Sequence, residues 1–298
     1  MSKEEPTPQT IQLSELVSGF VADTEAAAEA RRTGRPRGPI TGLVELDRIF
    51  GGFLAPGLHI LQGAPGCGKT ALSLQIASHC FYPCLYVTSE MPTLELFRRL
   101  IARETKTFLG KLKSGEVSGA DARRLALATV EKLPHMAMMD ATNAYASPAL
   151  IQDVASCLRE RMNAEHVLIV IDSLQVWARS VRATDREAAT ASEYDMINAA
   201  LFAAAGIASR LTCPVLMISH RNRVGNKEQG GLHASKGSGD VEYAAETILD
   251  LTPKADQQPD ANGETEVNAK VVKNRHGVVG VTSRLQFCGR LQEFREGR

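Results

Sequence analysis

A glycine-rich run at residues 63–70 has the residue types and spacing to bind phosphate groups. It reads Gly-Ala-Pro-Gly-Cys-Gly-Lys-Thr and fits G-x-x-x-x-G-K-[ST], after a strand-like segment and before a helical one. Its glycines let backbone N–H groups curl around phosphates, and the helix N-terminus adds partial positive charge. We expect Lys69 to reach the β- and γ-phosphates of ATP and the Thr70 hydroxyl to ligate Mg²⁺. The residues predicted to contact the nucleotide are Gly63, Ala64, Pro65, Gly66, Cys67, Gly68, Lys69, Thr70 and Ala71.

An acidic residue ends a continuous apolar run. Residues 167–171 read Val-Leu-Ile-Val-Ile and precede Asp172. A carboxylate at the end of a buried strand, next to a phosphate loop, suits outer-shell Mg²⁺ binding. We therefore predict Asp172 as the metal-binding acid. Residue 173 is a serine, so the general base that activates water must come from another part of the chain.

Glu90 is the candidate for that base. It follows the strand-like segment 85–89, which comes after the helix that the phosphate loop opens. Because the carboxyl ends of parallel strands line one crevice, Glu90 and Asp172 can share it. A carboxylate there can orient and deprotonate an attacking water. The alternative is that Glu90 caps the helix that begins near Thr93.

His220 and the segment after it form a third candidate site. His220 closes the strand-like segment 215–219, so it could hydrogen-bond the γ-phosphate and report its loss to the following loop. Residues 221–240 are glycine-rich and carry spaced cations, among them Arg221, Arg223 and Lys236. Such loops suit the backbone of a single-stranded nucleic acid. The alternatives are an ordinary strand-end histidine and a solvated lid.

The segment 273–277, Lys-Asn-Arg-His-Gly, occupies the turn between the last two long strands. Two cations held on a rigid hairpin, Lys273 and Arg275, could reach a nucleotide. The functional interpretation is an arginine finger supplied to a neighbouring subunit. The alternative is a basic hairpin tip.

The elements that must position these residues alternate between short apolar runs and amphipathic stretches. Strand-like segments near residues 59–61, 85–87, 136–139, 167–171 and 215–218 are separated by helical segments. Strands that are apolar on both faces indicate a parallel sheet covered by helices, so the predicted fold class is α/β. Three further strands, 248–251, 266–273 and 281–287, follow without long helices between them. We predict that they extend the sheet in antiparallel fashion, around a polar tip at residues 256–263.

The N-terminal part of the chain is predicted to be an appendage. Residues 1–10 are polar and contain prolines, which predicts disorder. Residues 11–32 form a predicted helix with Leu13, Leu16, Val17 and Phe20 at spacings of three and four. A Gly/Pro-containing stretch then breaks the helix, so we place the domain boundary between residues 39 and 40. The alternative is a surface helix that packs on its own domain.

Composition excludes several classes of protein. The 298 residues carry 34 Lys+Arg against 34 Asp+Glu, and 44% are hydrophobic, which rules out a wholly disordered chain. The zero net charge argues against a nucleic-acid binder that works by global basicity. No apolar run is long enough to span a bilayer, and no signal-peptide core is present. The six cysteines form no C-x-x-C pair, so a reducing cytoplasm is the expected location.

Together these residues resemble the C-terminal motor domain of the DnaB-type hexameric helicases, within the RecA-like P-loop ATPase superfamily. The resemblance covers roughly residues 40–295, and its motifs occur in the family's order. They are Thr41-Gly42 to Leu46-Asp47, Gly-Gly-Phe at 51–53, the phosphate loop, Ser89-Glu90-Met91, Val170-Ile171-Asp172-Ser173, Ile218-Ser219-His220, Gly237-Ser238-Gly239 and Lys273-Asn274-Arg275-His276-Gly277. The 273–275 segment and the Asp-Ser-Leu-Gln sequence at 172–175 are also similar to RadA, a bacterial recombination helicase.

The resemblance implies a role for each matching position. Those at the nucleotide are Lys69 and Thr70 on phosphates and Mg²⁺, Glu90 as catalytic base, Asp172 as metal acid, His220 as sensor, and Lys273 and Arg275 as cations acting on a neighbour's ATP. Those on single-stranded DNA are Lys236, Gly237 and Gly239 in one pore loop, with Arg221 and Arg223 near a second. The helix at 11–32 matches the linker helix that docks on an adjacent subunit.

The implied protein is an ATP-dependent DNA helicase or translocase that forms a homo-oligomeric ring, hexameric in keeping with the family, and meets a primase, loader or other replication or recombination protein. No counterpart of the family's primase-binding collar domain precedes the motor region in this sequence. Two alternatives therefore stay open. One is an ATP-gated assembly platform that recruits partners without unwinding DNA. The other is a recombination ATPase of the RecA or RadA kind, which forms open filaments.

Overall fold

The N-terminal part of the chain forms a compact unit by itself. The computed structural model describes residues 10–184, 192–220, 243–254, 259–260 and 263–297. The chain divides into two units, residues 1–37 and residues 38–298. In the first, a 3₁₀ turn over Leu13–Leu16 leads into helix α1, Val17–Thr33, which ends at Gly34 in the left-handed conformation common at helix ends. The predicted disorder of residues 1–10 falls almost wholly outside the described residues.

The second unit contains strands and helices in alternation. Its strands are β1 (Gly57–Gly63), β2 (Cys84–Thr88), β3 (Met136–Asp140), β4 (Leu168–Asp172), β5 (Pro214–His220), β6 (Thr247–Pro253), β7 (Glu264–Asn274), β8 (Thr282–Cys288) and β9 (Glu293–Glu296). Its helices are α2 (Val44–Ile49), α3 (Lys69–His79), α4 (Thr93–Glu104), α5 (Lys111–Ser114), α6 (Gly119–Lys132), α7 (Pro148–Arg161), α8 (Leu174–Thr184) and α9 (Glu193–Leu211).

The described strands form one sheet in the order β3-β2-β4-β5-β1-β6-β7-β8-β9. The strands from β3 to β6 are parallel, and β6 to β9 are antiparallel to one another. This confirms the predicted α/β sheet with antiparallel strands at its C-terminal end. The carboxyl ends of β1, β2, β4 and β5 therefore meet at one edge of the sheet.

One of the three C-terminal strands differs from the prediction. β6 was expected to extend the sheet in antiparallel fashion, but it lies parallel to β1, with His59 opposite Thr247, and antiparallel only to β7. A parallel neighbour requires a crossover connection of about a dozen residues or more. Residues 221–246, between β5 and β6, are long enough to make that crossover.

Both faces of the central parallel strands β1, β2, β4 and β5 are buried, because helices cover each side. Along β4 the side chains alternate: Val170 packs with α3 and α4, whereas Ile169 and Ile171 pack with α7, α8 and α9. All five residues of β4 are buried. Burying each such aliphatic side chain contributes about 1.5–3 kcal/mol. The central strands, whose carboxyl ends carry the predicted site, are therefore anchored in the hydrophobic core.

Polar side chains fix where several helices begin. Ser147 caps α7 by accepting from the Leu150 N–H, with Pro148 at the first helical position. Ser192 and Asp195 form a reciprocal capping box at the start of α9. At α4 the Asp140 carboxylate, at the end of β3, accepts hydrogen bonds from the backbone N–H and the hydroxyl of Thr93. The Asp140 bonds tie the start of α4 to the end of β3, at the strand edge where the candidate site lies.

Some elements were not among those predicted from the sequence. They are α2, α5, α8 and β9. β9 reads Glu-Phe-Arg-Glu and offers a single apolar residue, Phe294, too little for a periodic signal. No described helix is both long and apolar enough to cross a membrane.

Candidate nucleotide site

The glycine-rich loop lies between the end of β1 and the start of α3. Gly66 and Gly68 adopt left-handed φ angles of 81° and 90°, which other residues rarely adopt. A Cβ at Gly68 would lie 2.7 Å from Phe294 Cζ, whereas a Cβ at Gly66 would meet nothing within 4 Å. The loop is therefore packed on β9 beneath Gly68 and open at Gly66, a shape that leaves room for phosphate groups.

Lys69 lies within this loop. Its side chain is buried, and Nζ donates hydrogen bonds to the carbonyls of Gly63 and Ala64, both at 2.9 Å. No side chain caps the N-terminus of α3, which starts at Lys69. The first N–H groups of a helix have no partner within the helix, and the helix dipole makes this end favourable for anions. The ammonium and the helix end thus supply positive charge to the same place.

Asp172 is joined to the phosphate loop by hydrogen bonds. Its Oδ2 accepts from the Thr70 hydroxyl at 2.9 Å and from the Tyr86 hydroxyl at 2.9 Å. Tyr86 also shares a hydrogen bond of 2.9 Å with Ser73 Oγ. Burial raises the pKa of Asp172, and these two hydrogen bonds oppose that rise. Burial, and then the nearby Asp172 carboxylate, hold the pKa of Tyr86 well above its usual value, so Tyr86 remains a donor.

This donor set fits a magnesium nucleotide. Hydroxyl and carboxylate oxygens are hard ligands of the kind that Mg²⁺ prefers, and Mg²⁺ sites rely on one or two protein groups plus substrate phosphates. No group of three or more His, Cys, Asp or Glu residues that could hold a metal occurs in the described part of the chain. Thr70 with Asp172 matches the kind of site in which substrate phosphates supply further oxygens.

Glu90 lies beside Asp172, as the strand order predicts. Thr88 is opposite Asp172 in the β2–β4 register, and Glu90 follows two residues later. Its Oε2 accepts from Ser173 Oγ at 3.0 Å and lies 3.3 Å from His220 Nε2. The alternative assignment of Glu90 as the cap of α4 is wrong, because the carboxylate that accepts from the Thr93 N–H is that of Asp140, whereas Glu90 binds Ser173 and lies beside His220.

Gln175 joins the site without having been singled out from the sequence. The backbone pairing of β4 with β5 ends at Ile171 opposite Met217. Beyond it, the Gln175 amide donates to Ser219 Oγ at 3.0 Å, and its Oε1 accepts from the His220 N–H at 3.2 Å. Its position three residues after Asp172 was the available signal. The Gln175 side chain therefore links the start of α8 to the end of β5, beyond the point where the backbones of β4 and β5 pair.

Lys273 and Arg275 lie near the opposite edge of the sheet, where β1 begins. Asn274 is opposite Thr247, which is opposite His59 near the start of β1. Gly63, where the phosphate loop begins, is four residues further along β1, about 13 Å at about 3.3 Å per residue. Arg275 therefore does not share the edge that brings Lys69, Asp172, Glu90 and His220 together.

The residues predicted to bind DNA are not described. Arg221, Arg223, Lys236, Gly237 and Gly239 all fall in residues 221–242, outside the part of the chain that the structure describes. Their described neighbours are His220 at the end of β5 and Tyr243 before β6.

Comparison with known proteins gives this arrangement its context. Residues 38–296 match the family model of the DnaB-like helicase C-terminal domain. The replicative DNA helicase DnaB of Treponema pallidum is 27% identical over 287 residues, which cover 94% of this chain and 61% of that protein. Several other curated relatives are covered to a similar extent, so the chain spans about three fifths of their length.

Solved structures show the same fold. One solved ATPase domain aligns with a TM-score of 0.77 at 22% identity, covering 95% of this chain and 99% of that one. A DnaB-like replicative helicase, described with its interactions with primase, aligns with a TM-score of 0.75 at 21% identity over 97% of this chain and 68% of that one. The RecA-like ATPase architecture predicted from the sequence is thereby confirmed, and the chain belongs to the family of DnaB-like helicase C-terminal domains.

Proposed function

We propose that this protein is an ATP-hydrolysing motor that moves on single-stranded DNA and works as a homo-oligomeric ring, as a DNA helicase or translocase of the DnaB kind. The observation that carries the proposal is the meeting of Lys69, Thr70, Asp172, Glu90 and His220 at one edge of the sheet. The Thr70 hydroxyl donates to Asp172 there, the next residue Ser173 donates to Glu90, and Glu90 lies 3.3 Å from His220.

Each of these residues has a defined task in ATP hydrolysis. Lys69 and the N-terminus of α3 would hold the phosphates, and Thr70 and Asp172 would hold Mg²⁺, which would neutralise charge on the phosphate oxygens. Glu90 orients a water and accepts its proton as the water oxygen attacks the γ-phosphorus and the bond to the bridging oxygen breaks. The Glu90 side chain is 43% exposed, so water can reach its carboxylate.

His220 and Gln175 connect this chemistry to the chain that follows. The His220 ring lies 3.3 Å from Glu90, and its backbone is held by Gln175. Loss of the γ-phosphate would change what His220 and Glu90 can bind. Residue 221, the first of the segment with the predicted DNA contacts, follows directly. We assign Arg221, Arg223, Lys236, Gly237 and Gly239 to the DNA backbone on this ground and on family membership.

Arg275 and Lys273 act on the nucleotide of another copy in this proposal. Their place at the far end of β1 keeps them from the phosphate loop of their own chain. An arginine that enters an ATP site from a neighbour stabilises charge in the transition state and can raise turnover by about 10³–10⁵. The ATP sites would therefore lie between subunits, so that hydrolysis requires assembly.

The described residues offer matching surfaces for that assembly. In the first unit, the apolar side chains Leu13, Leu16, Val17 and Phe20 are exposed, and no residue of α1 is buried. In the second unit, α9 and residues 243–244 line a groove of about 470 Å³. Its large apolar side chains are Tyr194, Leu201, Phe202 and Tyr243. We assign the groove to α1 of an adjacent copy, since exposed apolar patches of this kind mark interaction sites.

The proposal is tested by mixing two inactive variants. Lys69→Ala removes phosphate binding, whereas Arg275→Ala leaves its own phosphate loop intact and removes only the cation offered to a neighbour. Separately each variant should hydrolyse ATP at background rate. Mixed rings should recover part of the activity, because a neighbour with an intact Arg275 can serve a subunit with an intact Lys69. A failure to recover at any mixing ratio, with mixed rings verified by differently sized tags, contradicts catalysis across an interface.

A second experiment separates the motor from the alternatives. ATP hydrolysis is measured with and without oligo-dT, strand displacement is measured on a forked duplex, and particles with a non-hydrolysable ATP analogue are imaged by electron microscopy. The motor predicts DNA-stimulated hydrolysis, displacement and closed rings. Hydrolysis that is indifferent to DNA favours an ATP-gated platform, and helical filaments favour a recombination ATPase.

A further inference from the structure

The proposed trans-acting arginine is held by a second residue of its own chain. Arg275 Nη1 lies 2.9 Å from Glu246 Oε1, and its Nη2 donates to the Tyr243 carbonyl at 2.8 Å. The other oxygen of the carboxylate, Oε2, lies 3.1 Å from His276 Nε2. Glu246 thus binds two consecutive side chains of the 275–281 turn at once, one with each oxygen.

The backbone around Glu246 is tied to the sheet. The Glu246 N–H donates to the Leu58 carbonyl at 2.7 Å, and the Arg275 N–H donates to the Glu246 carbonyl at 3.0 Å. Glu246 therefore lies between the start of β1 and the end of β7, where its own main chain has little freedom to move. A side chain on this support can hold another side chain in one orientation.

Gly57 leaves the space that the Glu246 side chain occupies. A Cβ on Gly57 would overlap Glu246 Cγ, and Gly57 has φ 138°, which is strained for residues other than glycine. This is independent of the hydrogen bonds to Arg275. The Glu246 side chain thus packs across Gly57 at the start of β1, in addition to making its ion pairs.

The contacts that hold Arg275 leave some of its donors unused. A guanidinium has five N–H donors in a fixed fork, and Glu246 and the Tyr243 carbonyl engage one on each terminal nitrogen. Within the described part of the chain, one N–H on each terminal nitrogen and the Nε–H are left, and the side chain is half exposed. Arg275 can bind phosphate oxygens through these donors without releasing Glu246.

We propose that Glu246 is a positioning residue that orients Arg275 for the ATP site of the neighbouring subunit. The inference rests on the proposed function, since it requires that Arg275 act across an interface. An exposed ion pair of this kind adds little to folding stability, because solvent screens it and ordering the side chains costs entropy. Holding the guanidinium in one orientation instead lowers the entropic cost of reaching the transition state. The loss of Glu246 should accordingly appear in turnover and not in stability.

The test compares Glu246→Gln with a matched control. Glu264→Gln removes the charge of an ion pair with Arg295 of nearly the same exposure, 22% and 50% against 20% and 50%, on the antiparallel strands. With saturating oligo-dT, Glu246→Gln should lower kcat for ATP about ten-fold and leave KM within about two-fold, because Arg275 is engaged in the transition state. Glu264→Gln should change neither constant. Glu246→Asp, which keeps the charge but withdraws the carboxylate, should lower kcat in the same direction.

The Arg275→Ala variant and a mixing experiment separate the possible failures. Glu246→Gln subunits mixed with Lys69→Ala subunits should regain activity as Arg275→Ala subunits do. If Arg275→Ala abolishes turnover while Glu246→Gln and Glu246→Asp have normal or faster kcat, the positioning role is overturned and the proposed function stands. If Arg275→Ala itself has normal turnover, the proposed trans-acting role of Arg275 is contradicted, and the positioning role of Glu246 is contradicted with it.

Discussion

Thr70 and Asp172 are 102 residues apart in the chain, yet the Thr70 hydroxyl donates to Asp172 Oδ2 at 2.9 Å. The bond joins the first turn of α3 to the end of β4, two elements that lie side by side only because the sheet places β4 and β1 on either side of β5. It brings the two proposed Mg²⁺ ligands together before any metal binds. The arrangement has a cost, because it keeps a carboxylate buried.

That cost predicts that Asp172→Asn is more stable than the natural protein and inactive. Burial raises the pKa of Asp172, so ionising this carboxyl costs more free energy in the folded protein than in the unfolded chain. The protonated Asp172 carboxyl therefore contributes stability to the folded state. This contribution is fully present below the unfolded pKa of about 4 and is lost as the pH rises through the folded pKa. An amide, which stays neutral, avoids the loss. In a chelator-containing buffer at pH 7, the thermal midpoint of Asp172→Asn should exceed that of the natural protein. In a separate assay with Mg²⁺, the variant should show no ATP turnover.

Asp140→Asn provides a control of opposite sign. Hydrogen bonds from Thr142, and then from Thr93, lower the pKa of Asp140 to about 2. A depressed pKa contributes stability above the unfolded value, and that contribution is lost as the pH falls from about 4 towards 2. The thermal midpoint of Asp140→Asn should therefore be lower at pH 7 and converge on that of the natural protein at acid pH, with turnover retained. A midpoint for Asp172→Asn that is equally depressed would contradict the sign argued above.

Glu90→Gln should separate nucleotide binding from hydrolysis. The amide retains an oxygen that can accept the Ser173 hydrogen bond, but it does not accept a proton from water. We expect the affinity for ATP, measured by equilibrium dialysis or a fluorescent analogue, to stay within about two-fold. Turnover should fall by about 10² or more, the range typical of a general base. A variant that still turns over at the natural rate removes Glu90 as the base.

The parts of the site that were predictable from the sequence depend on residues close together in the chain. The phosphate loop and the apolar run before Asp172 are local patterns, and each is a continuous stretch of fewer than ten residues. The placement of Glu90 and His220 needed one further assumption, that parallel strands end at a common edge. The strand registers agree with that assumption, since Gly63 is opposite His220 at the ends of β1 and β5, and Thr88 is opposite Asp172 at the ends of β2 and β4.

The remaining parts depend on contacts between distant residues. Gln75 and Phe294 exchange two hydrogen bonds across 219 residues, which docks β9 against α3 beneath the phosphate loop. The direction of β6 depended on a crossover that periodicity does not reveal. Glu246 resembles any surface glutamate until the fold places it over Gly57 and against Arg275. No local pattern in the sequence contains these relationships.

Gln175→Ala should weaken the link between nucleotide and DNA. The Gln175 amide holds Ser219 and the backbone of His220, where direct pairing of β4 and β5 has already ended. Without this side chain, loss of the γ-phosphate would have a smaller effect on the segment that starts at residue 221, which carries the proposed DNA contacts. We expect basal ATP hydrolysis within about two-fold of normal and a loss of oligo-dT stimulation of about ten-fold, within the usual range of coupling energies.

Gln152→Ala is the matched control for this prediction. Gln152 is a glutamine of α7 whose Oε1 accepts from Arg210 Nε at 2.9 Å, away from the strand edge. Its replacement should alter neither basal nor stimulated hydrolysis. Equal stimulation in both variants would show that Gln175 is a packing residue and not part of the coupling.

Charge placed on either proposed assembly surface should weaken the ring. Phe20 of α1 and Phe202 of the groove are 71% and 83% exposed, which is unfavourable for large apolar side chains unless a partner covers them. Burying a phenylalanine contributes about 1.5–3 kcal/mol, so Phe20→Glu or Phe202→Glu should raise the dissociation constant of the assembly by about ten-fold or more. Sedimentation velocity with a non-hydrolysable ATP analogue measures this directly.

A charge pair across the interface identifies the partners. Phe20→Lys combined with Phe202→Glu should assemble better than either single variant, since the opposite charges would meet between copies. Phe81→Glu, which alters an exposed phenylalanine in the turn between α3 and β2, should assemble normally. If Phe202→Glu assembles as well as Phe81→Glu, the groove does not hold α1 of another copy, and the cover for these apolar side chains must be a different partner.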